Sequence, residues 1–134
     1  DGETALQKAS RRNHVDVVQL LLSHGAQPRV DSNALLAAAE GGNIDIIRLL
    51  LDHGANVEAR SDIDESTLQI ASLRGSLNTV RLLLDRGARP YNDAGTLLAA
   101  VHGGSVDIVR LLLNHGADIE ARDGLGRTAL QTAS

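Results

Sequence analysis

The sequence predicts an all-α solenoid of antiparallel helix pairs, with long fingers and short loops alternating between the pairs. Three observations carry this expectation. Four segments end alike, at Leu20-Leu21-Leu22-Ser23-His24-Gly25-Ala26, Leu49-Leu50-Leu51-Asp52-His53-Gly54-Ala55, Leu82-Leu83-Leu84-Asp85-Arg86-Gly87-Ala88 and Leu111-Leu112-Leu113-Asn114-His115-Gly116-Ala117. Their glycines are 29, 33 and 29 residues apart, so a higher period of 62 runs through the chain. Residues 25–72 and 87–134 agree at 26 of 48 paired positions, which marks a duplicated two-repeat unit. A repeat of about 30 residues cannot bury its own apolar face, so neighbouring repeats must stack.

Composition bounds the rest. The 134 residues are 43% apolar and 22% charged, the balance of an ordinary folded domain. Phe, Trp and Met are absent and Tyr91 is the sole aromatic, so the core must be built in thin layers of Leu, Ile, Val and Ala. There is no Cys, which excludes disulfides, thiolate metal sites and cysteine nucleophiles. The net charge of −4 is opposite in sign to that of a typical nucleic-acid binder. The longest unbroken apolar run is the six residues Ala34 to Ala39, far short of the ~18 residues a membrane helix needs. The chain opens on Asp1 without a signal-peptide pattern and stops at Ser134 inside a first-helix pattern. No polar terminal repeat closes either end, so the expectation is one array cut from a longer one, with frayed ends or end-to-end self-association.

Taken in order, each repeat opens with a short helix whose expected caps are Thr4, Asn33, Ser66, Gly95 and Thr128. Thr4 with Gln7, Ser66 with Gln69 and Thr128 with Gln131 have capping-box spacing, in which the Gln returns a hydrogen bond to the cap residue's own N–H. This helix is Ala-rich, as in Ala37-Ala38-Ala39, and is expected to stop near Asn13, Gly42, Gly75 and Gly104 in the left-handed region. A second helix follows His14, Asn43, Ser76 or Ser105. Asp16, Asp45 and Asp107 suit the dipole of its first turn, and its apolar spacing is that of Ile44, Ile47, Leu50 and Leu51. Gly25, Gly54, Gly87 and Gly116 are its expected stops. The connection to the next first helix is 12 residues from Gly54 to Ser66 and from Gly116 to Thr128, but 8 from Gly25 to Asn33 and from Gly87 to Gly95. Losing four residues shortens a hairpin by roughly 7 Å of reach at ~3.3 Å per residue. Pro28 and Pro90 on the short connections cannot donate to a ladder. Long fingers are therefore expected before residues 66 and 128, and tight loops before 33 and 95. The repeats read as 4–32, 33–65, 66–94, 95–127 and a partial 128–134.

The recurring helix cap, mid-repeat Gly, Leu triplet and Gly-Ala, in phase along the whole chain, resemble the ankyrin repeat. The family's Thr-Pro-Leu-His opening stands here as Thr4-Ala5-Leu6-Gln7 and Thr128-Ala129-Leu130-Gln131, with Pro and His both replaced. The finger Asp123-Gly124-Leu125-Gly126-Arg127-Thr128 matches the family turn. Its counterpart at 61–66 departs from it, with Ser61 in place of Asp and Asp64 in place of the turn Gly.

Chemistry is weakly represented. His24, His53 and His115 occupy one position in successive layers about 10 Å apart and cannot share a metal ion that needs ligands at ~2.1 Å. They read as helix C-terminal groups. Gly124-Leu125-Gly126-Arg127-Thr128-Ala129 fits a dinucleotide fingerprint formally, but it lacks the preceding strand and the βαβ context. Arg48 with Asp52, and Arg81 with Asp85, have the spacing of solvated ion pairs. Catalysis needs an asymmetric constellation, whereas nearly every polar residue here recurs in another layer. The expectation is no enzyme, no catalytic residue, no metal site and no cofactor.

What the resemblance implies is a non-catalytic protein–protein interaction module in an intracellular, cytoplasmic protein, with no nucleic-acid or membrane partner. The alternatives are a structural spacer, an autoinhibitory solenoid that binds a neighbouring domain of its own protein, or an engineered repeat scaffold. Carried over by position, the family's concave finger and first-helix surface comprises Glu3, Arg11, Arg12, Glu40, Leu73, Arg74 and His102. Finger residues Asp62, Ile63, Glu65, Leu125 and Arg127, and Tyr91 on the second short loop, complete it. Tyr91, Arg74 and Leu73 are the leading anchor candidates, because aromatic and Arg anchors carry much interface energy.

Overall fold

Helix pairs form where the caps place them. The structure, a computed structural model, describes residues 2–90, 94–122 and 124–133, apart from the side chains of Ala94, Thr132 and Ala133. The chain divides into two compact units, Asp1–Thr67 and Leu68–Ser134. The first holds α1 (Ala5–Arg11), α2 (Val15–Ser23), α3 (Asn33–Gly41) and α4 (Ile44–Asp52). At the boundary α5 (Thr67–Leu73) begins, and α6 (Leu77–Asp85), α7 (Ala94–Gly103), α8 (Val106–Asn114) and α9 (Ala129–Ala133) follow. Among the described residues there is no strand, only two isolated antiparallel bridges, Arg60 with Ser66 and Arg122 with Thr128. These bridges close the two long fingers where the 12-residue spacing put them.

Much of the expected punctuation is present. Thr4 caps α1 in a complete capping box with Gln7. At the start of α9 the Gln131 N–H donates to Thr128 Oγ1 at 3.4 Å, while the Thr128 N–H donates to Gln131 Oε1 at 2.9 Å. Asn43 and Ser105 cap α4 and α8 through their side chains. Asn13, Gly42, Gly75 and Gly104 all take positive φ after the first helices. Each second helix ends in a Schellman-type turn: the N–H groups of Ala26, Ala55, Ala88 and Ala117 donate to the carbonyls of Leu21, Leu50, Leu83 and Leu112 at 2.9–3.0 Å.

Two expectations are corrected. Asn33 does not cap α3 but lies inside it; the cap is Ser32, already helical at φ −62° and ψ −22° and without a side-chain cap bond. The reason lies in the short loop, which is itself wound into turns, with Val30 and Asp31 N–H both donating to the Gln27 carbonyl at 3.1 Å. The residue before α3 is thus already helical and not the extended residue that a side-chain cap prefers. Gly95 likewise falls within α7, which starts at Ala94. The second correction concerns Arg48, whose ion pair is with Asp45 at 3.3 Å, one turn upstream, rather than with Asp52. Arg110 and Asp107 repeat this geometry at 3.9 Å.

In the first unit the core runs through Leu6, Val18, Leu22, Leu35, Leu36, Ile46, Ile47 and Leu50, and in the second through Leu68, Val80, Leu83, Leu97, Ile108 and Leu112. Ala37, Ala38 and Ala39 are all buried, and α1 packs against α3. The short loop is anchored by Asp31, whose carboxylate accepts hydrogen bonds from Thr4 Oγ1 at 2.6 Å and from Gln7 Nε2. The Gln that stands where the family has His therefore ties one repeat to the next as well as capping its own helix.

The two long fingers reach the same turn with different residues. Asp64 has φ +64° and its counterpart Gly126 has φ +77°. In each case the preceding finger arginine secures the turn: Arg60 Nη1 donates to the Asp64 carbonyl at 2.9 Å, and Arg122 Nη1 to the Gly126 carbonyl at 2.6 Å. Left-handed backbone costs a Cβ-bearing residue roughly 1–2 kcal/mol, less for Asp than for Ala. Asp64→Ala is accordingly expected to lower stability by about 1 kcal/mol, and Asp64→Gly to leave it within about 0.5 kcal/mol. Urea titration of the two variants checks this, and equal loss in both would contradict it.

Candidate functional site

Equivalent grooves form at the same register in the two units. In the first, a groove of about 270 Å³ lies between α1, α3 and the finger, lined by Gln7, Arg11, Asn33, Leu36, Glu40, Ser61, Asp62, Ile63 and Glu65. In the second, a groove of about 370 Å³ is lined by Gln69, Leu73, Gly95, Leu98, Ala99, His102, Arg122 and Gly124. The floor repeats with the 62-residue period, Gln7 with Gln69 and Leu36 with Leu98. The rim does not: Arg11 is matched by Leu73, Glu40 by His102, and Asp62 by Gly124.

The first groove is crossed by an ion network. Arg11 Nε donates to Glu40 Oε2 at 2.9 Å, and Arg11 also pairs with Glu3. All three side chains are partly exposed, so the pairs contribute under about 1 kcal/mol each and serve to hold Arg11 across the gap between α1 and α3. Asp62, Ile63 and Glu65 close the finger side, Ile63 standing 76% exposed at the tip. The second groove has an apolar wall, with Leu73 half exposed above buried Leu98 and Ala99. Its polar groups are Gln69, His102 and Arg122, and none of its described lining residues is acidic.

Of the residues expected from the sequence, Arg11, Glu40, Asp62, Ile63 and Glu65 come together in the first groove, and Leu73 and His102 in the second. Glu3 reaches the first through its pair with Arg11. Arg12, Arg74, Leu125 and Arg127 are exposed but line neither groove. Tyr91 lies outside the described residues. Sequence reasoning passed over Gln7, Leu36, Gln69 and Leu98, each one turn before a residue it had chosen; the i, i+4 spacing on a first helix was the signal available. It also passed over Arg122, a framework position in both long fingers.

Gly41 and Gly103 explain how the first helices approach closely enough to frame these grooves. A Cβ on Gly41 would stand 2.6 Å from the Arg11 carbonyl oxygen and 2.7 Å from Asn13 Oδ1. A Cβ on Gly103 would stand 2.8 Å from the Leu73 carbonyl oxygen and 2.9 Å from that of Ser72. These glycines are contact points between helices.

Among the described residues no group of three or more His, Asp or Glu is placed to hold an ion. The Nδ1 of His24, His53 and His115 lies 2.8–3.0 Å from the carbonyl oxygens of Leu20, Leu49 and Leu111. A carbonyl only accepts, so each Nδ1 carries the proton and caps its own helix end. Among the described residues no helix is long and apolar enough to cross a membrane.

Paired short helices, left-handed glycine stops and bridged fingers in alternating 29- and 33-residue repeats define a helical repeat protein. The family model described as "Ankyrin repeats (3 copies)" matches residues 1–61, 28–94 and 68–134, and the chain belongs to the ankyrin-repeat family. No curated protein matches it. Ankyrin repeats are in general protein–protein interaction modules and are typically non-catalytic.

Proposed function

We propose that this chain is a recognition module that binds a protein partner on the finger and first-helix side of each unit. One observation carries the reading: the two grooves share a floor and differ in their rims. Residues that stack repeats are held constant by packing, whereas Arg11, Glu40 and Asp62 and their counterparts Leu73, His102 and Gly124 are exposed and differ in charge and size. Exposed positions that differ between copies of one framework are free to discriminate ligands. A pure spacer would need no such divergence in a concave site. Helices α4 and α8, by contrast, repeat one solvated pairing of Asp with Arg, at Asp45 with Arg48 and Asp107 with Arg110.

The test is site-directed photocrosslinking in the full chain. A photoreactive phenylalanine analogue at Ile63 or Leu125, both more than 75% exposed, is expected to trap a partner protein. The same group at exposed Arg48 or Arg110, on the second helices, is expected to trap none. Equal trapping from both sets would remove the assignment to the groove side.

A further inference from the structure

We infer that the groove of the second unit takes an acidic segment of a protein partner, with an aliphatic side chain seated on Leu73 and a carboxylate held by Arg122 and His102. The inference rests on the recognition reading above and specifies the chemistry of one of its two sites.

The first support is a difference in charge at fixed geometry. Three of the residues lining the first groove are carboxylates, Glu40, Asp62 and Glu65, and its one cation, Arg11, is paired with Glu40. At the same register the sequence has His102 for Glu40, Gly124 for Asp62 and Asp123 for Ser61, and none of the second groove's described lining residues is acidic. Arg122 lines it, and its guanidinium spends an Nη1 hydrogen on the Gly126 carbonyl at 2.6 Å. That bond fixes the side chain in place, and the planar fork has five N–H donors in all, enough to receive a carboxylate as well.

The second support is the apolar wall. Leu73 is half exposed although it lies on a first helix whose neighbouring Leu68 and Ala71 are buried. Arg11 occupies its place in the first unit. With Leu98 and Ala99 beneath, Leu73 gives an aliphatic side chain a surface to cover, while Arg122 and His102 supply the polar groups of the lining. A groove of about 370 Å³ admits side chains of a peptide rather than a folded lobe.

These features favour protein over nucleic acid. A strand of nucleic acid needs a track of cations and aromatic faces on which bases stack. Here the described lining supplies one Arg and one His, no aromatic side chain, and a chain of net charge −4.

The test uses the full chain and fluorescein-labelled probes: a short peptide alternating leucine with glutamate, its counterpart with lysine for every glutamate, and a single-stranded oligothymidine. In low salt the acidic peptide is expected to bind about tenfold or more tightly than the lysine peptide, and the preference to shrink near 0.5 M salt as screening shortens to a few ångströms. Arg122→Glu is expected to weaken the acidic peptide about tenfold. The double variant Leu73→Arg with His102→Glu installs what the first unit holds at the same register, so the fold tolerates both residues, and it is expected to abolish the preference. Circular dichroism confirms that both variants are folded. Equal binding of the two peptides, preference for lysine, tighter binding of the oligonucleotide, or a preference that survives the double variant would each overturn the inference. If the peptides fail while crosslinking at Ile63 and Leu125 still traps a protein, the chemistry assigned to this groove is wrong and the recognition module stands. If crosslinking also fails, both readings fall.

Discussion

Truncating Leu50 to alanine is expected to lower the stability of the chain by about 3–4 kcal/mol and its melting temperature by more than about 10 °C. Leu50 is fully buried in α4 between the equally buried Ile46 and Ile47. Each layer is thin and its aromatic-free core has no large neighbour able to swing into the gap, so the cavity stays open and its full cost is felt. The neighbours in the triplet, Leu49 and Leu51, are only partly buried, and their truncation is expected to cost about half as much or less. Leu112 is the same position one period on and is also fully buried, so Leu112→Ala should behave as Leu50→Ala does. Guanidinium titration of the four variants decides it. Comparable losses at Leu49, Leu50 and Leu51 would show that the middle residue of the triplet is not the one that faces the core.

Gly103→Ala is expected to cost about 2 kcal/mol, although alanine is the better helix former by about 1 kcal/mol at such a position. The obstacle is steric. The new Cβ would meet the carbonyl oxygens of Leu73 and Ser72 at 2.8 and 2.9 Å, and both belong to helical backbone that cannot rotate aside. Helix α7 would have to withdraw from α5, carrying His102 away from Leu73 and widening the groove they line. Gly41→Ala should show the same penalty, since its Cβ would lie 2.6 Å from the Arg11 carbonyl oxygen. Gly124→Ala is the control: nothing stands within 4 Å and its φ is unrestricted, so a change within about 0.5 kcal/mol is expected. A Gly103→Ala variant as stable as Gly124→Ala would refute close helix approach as the reason for the glycine.

The grooves were partly legible. Glu40 and His102 could be placed on the exposed side of a first helix because helical period fixes which face a residue joins. That Arg11 would be held between Glu3 and Glu40 could not, because the pairing depends on how closely two first helices pack. Arg122 was missed for a related reason. It recurs in both long fingers, as Arg60 and Arg122, and only the fold shows its side chain lining a groove with first-helix residues. Gly41 and Gly103 carry no signal of their own in the sequence, because what lies against them is the backbone of the preceding first helix.

The sequence by itself determined the helix pairs, their stops and the alternation of fingers and loops. Those features follow from local backbone preferences, caps and glycines repeated in phase, which act within a few residues and need no knowledge of neighbours. Which leucine of each triplet is buried, which arginine pairs with which acid, and which exposed side chains meet across a groove were decided only by tertiary packing. Such choices depend on distances of a few ångströms between segments about 30 residues apart, and no local preference encodes them.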